Sequence, residues 1–134
     1  MAEFSLPIRV YIEDTDAGGI VYYINYLKFM ERARTEFMRA LGFGKKYIFN
    51  SDNMFVVHSS QINYILPAQL DDELEVSTNI LNLRSASILF EQIVKRDGVA
   101  LCRAEIKVAC VSRENLKPAP IPEEILAVLK ESMV

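Results

Sequence analysis

Asp14-Thr15-Asp16-Ala17-Gly18-Gly19-Ile20-Val21-Tyr22-Tyr23 joins two segments of different hydrophobic period. Before it, Ile8, Val10 and Ile12 alternate with Arg9, Tyr11 and Glu13, the period of a half-buried strand. After it, from about Tyr23 to Leu41, the residues Tyr26, Phe29, Met30, Ala33, Phe37, Ala40 and Leu41 share one helical side, and Lys28, Arg32, Thr35, Glu36 and Arg39 share the other. Gly42 and Gly44 suit a helix stop. A strand that turns through this loop into a long one-sided helix needs a sheet for the helix to lie on, and the rest of the chain supplies one.

Four further strands are expected, at about Met54 to Leu66, Leu74 to Leu83, Ser87 to Arg96 and Val99 to Ser112. Arg96-Asp97-Gly98 between two alternating runs is a strong hairpin signal, and Asn82 to Ala86 suits a second, looser turn. Leu74, Val76, Thr78 and Ile80 face one way and Glu73, Glu75, Ser77 and Asn79 the other, as in an antiparallel sheet covered on one side. Pro122-Glu123-Glu124 begins a short final helix, with proline at its first position and acids in its first turn. One strand, one long helix and four consecutive strands make an α+β fold, an antiparallel five-stranded sheet wrapped around a long central helix. Its unpaired edges offer a second copy a place to pair, so at least a dimer is expected.

The 134 residues are 51% hydrophobic, enough for one domain with a true core, spanning 1–134. A formal net charge of −3 argues against a nucleic-acid binder, whose signature is clustered Lys and Arg. No stretch approaches the roughly 20 apolar residues of a membrane-spanning helix, and the N-terminus lacks a secretory signal, so a cytoplasmic protein without an integral membrane segment is expected. Cys102 and Cys110 sit at even spacing on one strand, on one face but too far apart to bridge, and read as buried free thiols.

The loop carries the chemistry. Backbone N–H groups in a first helical turn lack intrahelical acceptors and carry partial positive charge, so they can hold a carbonyl oxygen that becomes negative during attack. Asp16 lies just ahead of such a turn. Spacing alone leaves two roles for it, a helix cap or a carboxylate pointing into a cavity. Asp14 reads as structural, holding the loop by local hydrogen bonds. The loop's partial match to a calcium pattern fails, since Gly18 and Asn25 stand where oxygen ligands are needed. His58 is the sole histidine, and the cysteines lack ligand spacing, so no metal is expected. In a strand, His58 reads as a partly buried structural residue or a polar contact near the site. Arg34 falls at a helical angle within the apolar sector. It is therefore expected to be partly buried and paired with a carboxylate or a backbone carbonyl.

The run Glu13 to Gly19, then Ile20-Val21-Tyr22-Tyr23-Ile24-Asn25-Tyr26-Leu27 and Glu31-Arg32-Ala33-Arg34-Thr35-Glu36, resembles the YbgC-type acyl-CoA thioesterases of the hot-dog superfamily and, more broadly, the hydroxybenzoyl-CoA thioesterase group. Phe55-Val56-Val57, Pro67-Ala68-Gln69-Leu70-Asp71-Asp72 and Ser85 to Gln92 extend the resemblance over nearly the whole chain. It implies a hot-dog fold in dimers or dimers of dimers, with sites at the dimer interface, acyl-CoA as substrate and no cofactor. Carried over residue by residue, the family's catalytic aspartate matches Asp16, and the amide that polarises the thioester carbonyl matches the N–H of Tyr23. Whether Asp16 attacks the carbonyl or activates a water stays open. Gly18 and Gly19 would permit a close backbone approach, and Ile20, Val21, Ile24 and Phe55 would line an apolar slot. Arg84-Ser85-Ala86-Ser87, at a turn, would meet the nucleotide phosphates through Arg84, Ser85 and Ser87. Many YbgC-type members carry a histidine where this chain has Tyr23, which leaves the acyl group open. Other readings are a non-catalytic module that binds acyl-CoA or an acyl carrier protein, and a scaffold associated with the cell envelope.

Overall fold

A computed structural model of the chain describes residues 3–47 and 52–133. Its elements are β1 (Phe4–Arg9), α1 (Asn25–Ala40), β2 (Asn53–Tyr64), β3 (Glu73–Leu83), β4 (Ser87–Arg96), β5 (Val99–Ser112) and α2 (Glu123–Ser132). The five strands form one sheet in the order β1-β3-β4-β5-β2, antiparallel at every pairing. The α+β expectation holds. β4 and β5 match their expected bounds, and the turn between them has Asp97 and Gly98 at φ 52° and 78°, as a tight two-residue hairpin requires.

β1 differs from its expected position. It starts at Phe4 and runs through Pro7, which an edge strand tolerates because proline's missing N–H is on no ladder. Ile8 and Val10 are buried as their alternation requires, but Ile12 is 76% exposed in a short 3-10 turn, Ile12–Asp14. The Asp14 carboxylate causes the break by accepting the Tyr11 N–H at 2.9 Å, which curls the chain before a third inward residue can pair.

α1 lies against β1, β3 and β4 with Tyr26, Phe29, Met30, Ala33, Phe37 and Met38 buried. Ala40, expected on the apolar side, is exposed. The helix ends at Gly42, φ 99°, whose N–H donates to the Arg39 carbonyl while the Phe43 N–H reaches back to Met38. These paired bonds satisfy two orphan carbonyls, and the positive φ explains the glycine. α2 begins one residue later than expected, with Pro122 at its cap.

Beneath α1 the sheet presents Leu74, Val76, Ile80, Ile88, Phe90, Val94, Ala104, Ile106 and Val108, all buried. Among the described residues two buried polar side chains, Thr78 on β3 and Gln92 on β4, interrupt this layer. Gln92 on β4 is fully buried, donating through Nε2 to the Met30 carbonyl at 2.8 Å and to Thr78 Oγ1 at 2.9 Å, while Oε1 accepts from Arg34 Nη1 at 2.8 Å. Arg34 is thus 4% exposed and its partner is a neutral amide, not the expected carboxylate or backbone carbonyl. Ser77, expected outward, is also buried. Cys102 and Cys110 are buried free thiols, and burial pushes the Cys102 thiol up to about 12, far from a reactive thiolate.

Candidate active site

The loop between β1 and α1 is held at both ends. Asp14's carbonyl accepts the Tyr22 N–H at 2.9 Å and the Asn25 side-chain amide at 2.8 Å, so Asp14 is structural, as expected. Further along, the Val21 N–H donates to the Ala68 carbonyl and the Leu70 N–H to the Gly19 carbonyl, which docks the loop on the segment between β2 and β3. The Tyr26 hydroxyl, on the first turn of α1, accepts the Ala68 N–H at 2.9 Å. Burial pushes the Tyr26 hydroxyl above its ordinary range, so it stays protonated with its hydrogen available.

Asp16 does not cap α1. Its Oδ1 accepts the Gly18 N–H at 2.8 Å within a tight turn closed by the Gly19 N–H on the Asp16 carbonyl. Oδ2 accepts no hydrogen bond among the described residues, and the side chain is exposed in the single protomer. The two glycines have different reasons. A Cβ at Gly18 would stand 3.3 Å from Asp16 Oδ1, whereas Gly19 sits at φ 78° in open space.

α1 begins without a side-chain cap, at Ile24. Among the described residues the Tyr23 N–H, one residue before the Ile24 cap, donates to no acceptor. Beside it opens a cleft of about 210 Å³ lined by Ile20, Val21, Tyr23, Tyr26 and the run from Tyr64 to Pro67. Its aromatic wall is built edge to face, with Tyr23 and Tyr64 ring centres 6.0 Å apart and Tyr26 and Tyr64 5.7 Å apart. Tyr23, whose amide is unpaired among the described residues, thus lines an apolar cleft that is open to solvent in the single protomer.

Of the expected slot residues, Ile20 and Val21 are there, but Ile24 does not line the cleft. Phe55 lies at the other end of β2, in a separate depression with Glu31, Arg34 and Thr35. Sequence reasoning missed Tyr26 and Tyr64 to Pro67. The signal was an apolar run stopped by proline at the end of an otherwise alternating strand. His58 is exposed at the β2 bulge between Val57 and Ser59, so it is not the partly buried structural residue of the first expected reading, and it does not line the cleft as the second, a polar contact near the site, would require. Arg84, Ser85 and Ser87 form the β3–β4 turn, where the Arg84 N–H closes on the Ser87 carbonyl and the Ser85 carbonyl accepts the Ile121 N–H. That turn is at the opposite end of the sheet from the cleft, so one protomer does not bring Arg84 near Asp16. No cluster of potential metal ligands occurs among the described residues.

Asp72 fastens the loop that carries Ala68. Its Oδ2 accepts the Gln69 N–H at 2.8 Å and Arg96 Nη1 at 2.6 Å. Desolvation works upward on this carboxyl, but the amide and the guanidinium together hold it below its ordinary value of 3.8. A depressed folded value means that its stabilisation is present above about pH 3.8 and is lost as pH falls through the lower folded value. Melting temperatures of wild type and Asp72→Asn across pH 2 to 7 should differ most above about pH 4 and converge at the acid end.

The chain belongs to the thioesterase-like superfamily, whose family profile it matches over residues 10–129. It is similar to the acyl-CoA thioesterase YbgC of Haemophilus influenzae, with 46% identity over 92% of each chain. The acyl-CoA thioester hydrolase YbgC of Escherichia coli O6:H1 is 43% identical over 96% of each chain. A crystal structure of a probable thioesterase from Bartonella henselae superposes with a TM-score of 0.81 at 35% identity, over 91% of this chain and 99% of the other. The hot-dog fold is therefore the architecture of this chain.

Proposed function

We propose that the chain is an acyl-CoA thioesterase that releases a free carboxylic acid and CoA, with Asp16 as nucleophile or general base and the Tyr23 N–H as oxyanion donor. The observation that carries this reading is the unpaired Tyr23 amide at the uncapped start of α1, bordering the apolar cleft. Attack moves charge onto the thioester oxygen, where a fixed N–H dipole stabilises it. Asp16 supports the reading through its free Oδ2, since Oδ1 is occupied by the Gly18 N–H and fixes the carboxylate plane. The thiolate of CoA leaves without a strong general acid. The YbgC relatives, named as acyl-CoA thioesterases, support the reaction class and the substrate class.

The working unit is a dimer paired through the free edge of β2. Antiparallel pairing of two β2 edges brings the Asn53 end of one strand to the Tyr64 end of the other. Each cleft would then face the partner's β3–β4 turn, where Arg84, Ser85 and Ser87 can grip the nucleotide phosphates. A dimer of dimers needs a second surface, which sedimentation of the intact protein will reveal or exclude. No described helix is long and apolar enough to cross a membrane, and two reduced, buried cysteines suit a cytoplasmic protein.

Truncating Arg84 to Ala should raise KM for acyl-CoA several-fold with little change in kcat, because the nucleotide is remote from the reacting carbon. Steady-state kinetics on an acyl-CoA panel, reading released thiol, tests both proposals. Tight binding of acyl-CoA with no thiol release would instead favour a binding module for acyl-CoA or acyl carrier protein.

A further inference from the structure

Arg34 is a buried cation without an anion. It is 4% exposed, and no carboxylate of the described residues lies within ion-pair distance of it. Its recorded polar partner is the neutral Gln92 amide. Removing a guanidinium from water without a counter-charge costs several kcal/mol, so a fold that keeps one implies that an anion arrives. Arg34 lines a crevice between α1 and the unpaired edge of β2, where two depressions of about 200 and 250 Å³ share Glu31, Arg34 and Val57. Glu31 is exposed and takes part in no ion pair among the described residues, although it lines the same crevice one turn before Arg34.

The positions of these two charges are self-complementary. The midpoint of α1, Asn25–Ala40, falls between Arg32 and Ala33, so Glu31 and Arg34 stand equally far on either side. The midpoint of β2, Asn53–Tyr64, falls between His58 and Ser59, and residues on both sides of it line the crevice with α1. A two-fold axis running beside both elements, level with their midpoints and perpendicular to them, turns one α1 antiparallel to the other and sets each Glu31 opposite an Arg34. We infer that a second copy of this chain covers the crevice and that the partner subunit's Glu31 is the counterion of Arg34, with the reciprocal pair formed at the same time. This rests on the β2-paired dimer proposed above and adds to it the charge that sets its register. Such a pair rejects slipped or foreign edges, because any other register leaves two cations buried.

A charge exchange in trans tests it. Glu31→Arg and Arg34→Glu variants, each self-repelling as a homodimer, are mixed and read by native mass spectrometry. Heterodimer should exceed about nine-tenths of all dimers, against the half expected for random exchange, because the mixed pair restores both contacts. Where circular dichroism shows Arg34→Glu unfolded, the exposed Glu31→Arg variant decides alone. Its dimer dissociation constant should rise at least tenfold by sedimentation, while Glu36→Gln on the same helix leaves it unchanged. Random mixing, or an unchanged constant for Glu31→Arg, overturns the pairing while the dimer stands. A wild-type protein that is monomeric at micromolar concentration overturns the dimer reading and the pairing with it.

Discussion

Asp16→Asn is expected to lower kcat for acyl-CoA hydrolysis by roughly 10³-fold while leaving the affinity for an acyl-CoA within about twofold of wild type. The substitution is informative because it is nearly silent structurally. An asparagine side-chain oxygen can still accept the Gly18 N–H, which Asp16 Oδ1 accepts at 2.8 Å, so the turn through Gly19 survives. What disappears is the charge on the other oxygen, which carries no hydrogen bond among the described residues. Neither attack on a thioester carbon nor removal of a water proton proceeds well from a neutral amide. Equal turnover in the two proteins would move catalysis to another residue, and lost affinity with normal kcat would make Asp16 a binding group.

The second large effect is on stability. Gln92→Leu removes three hydrogen bonds from the core and strips Arg34 of its recorded partner. The expected loss is about 3 kcal/mol, near the upper range for a hydrogen bond to a charged group, and roughly a 10 °C fall in melting temperature. Adding Arg34→Met should recover about half of that loss, since it removes the stranded cation from the core but leaves the partner subunit's Glu31 without its counterion. Denaturant melts of the two single variants and the double variant check this. Additive losses would mean that Gln92 stabilises chiefly through Thr78 and the Met30 carbonyl. Single losses under about 1 kcal/mol would mean that water reaches the network.

The strands whose turn chemistry was explicit were legible in the sequence to the residue. Asp97-Gly98 fixed the hairpin, and with it β4 and β5. β1 was shifted because alternation cannot reveal a carboxylate that reaches back three residues and ends the strand, as Asp14 does at Tyr11. The loop was legible as the break between two periods, but the helix expected from about Tyr23 starts at Asn25, and the Tyr23 amide was reached through the resemblance. The cleft wall was not legible. Phe55 and Tyr64 belong to one strand, but nine residues at about 3.3 Å each separate them by roughly 30 Å, and only the register with β5 decides which end meets the helix start. Arg34 shows the same limit from the helix side, since its angle on the wheel revealed burial but not that Gln92 of β4 would lie across from it.

The central claim is that Asp16 and the Tyr23 amide converge on one carbonyl, and a crystal structure with a non-hydrolysable acyl-CoA analogue tests it most directly. The analogue's carbonyl oxygen should lie about 3 Å from the Tyr23 nitrogen, with its carbon near Asp16 Oδ2 directly or through one water, and the acyl group beside Tyr26 and Tyr64. A carbonyl held elsewhere, with Asp16 facing bulk solvent in the assembled protein, would contradict the account.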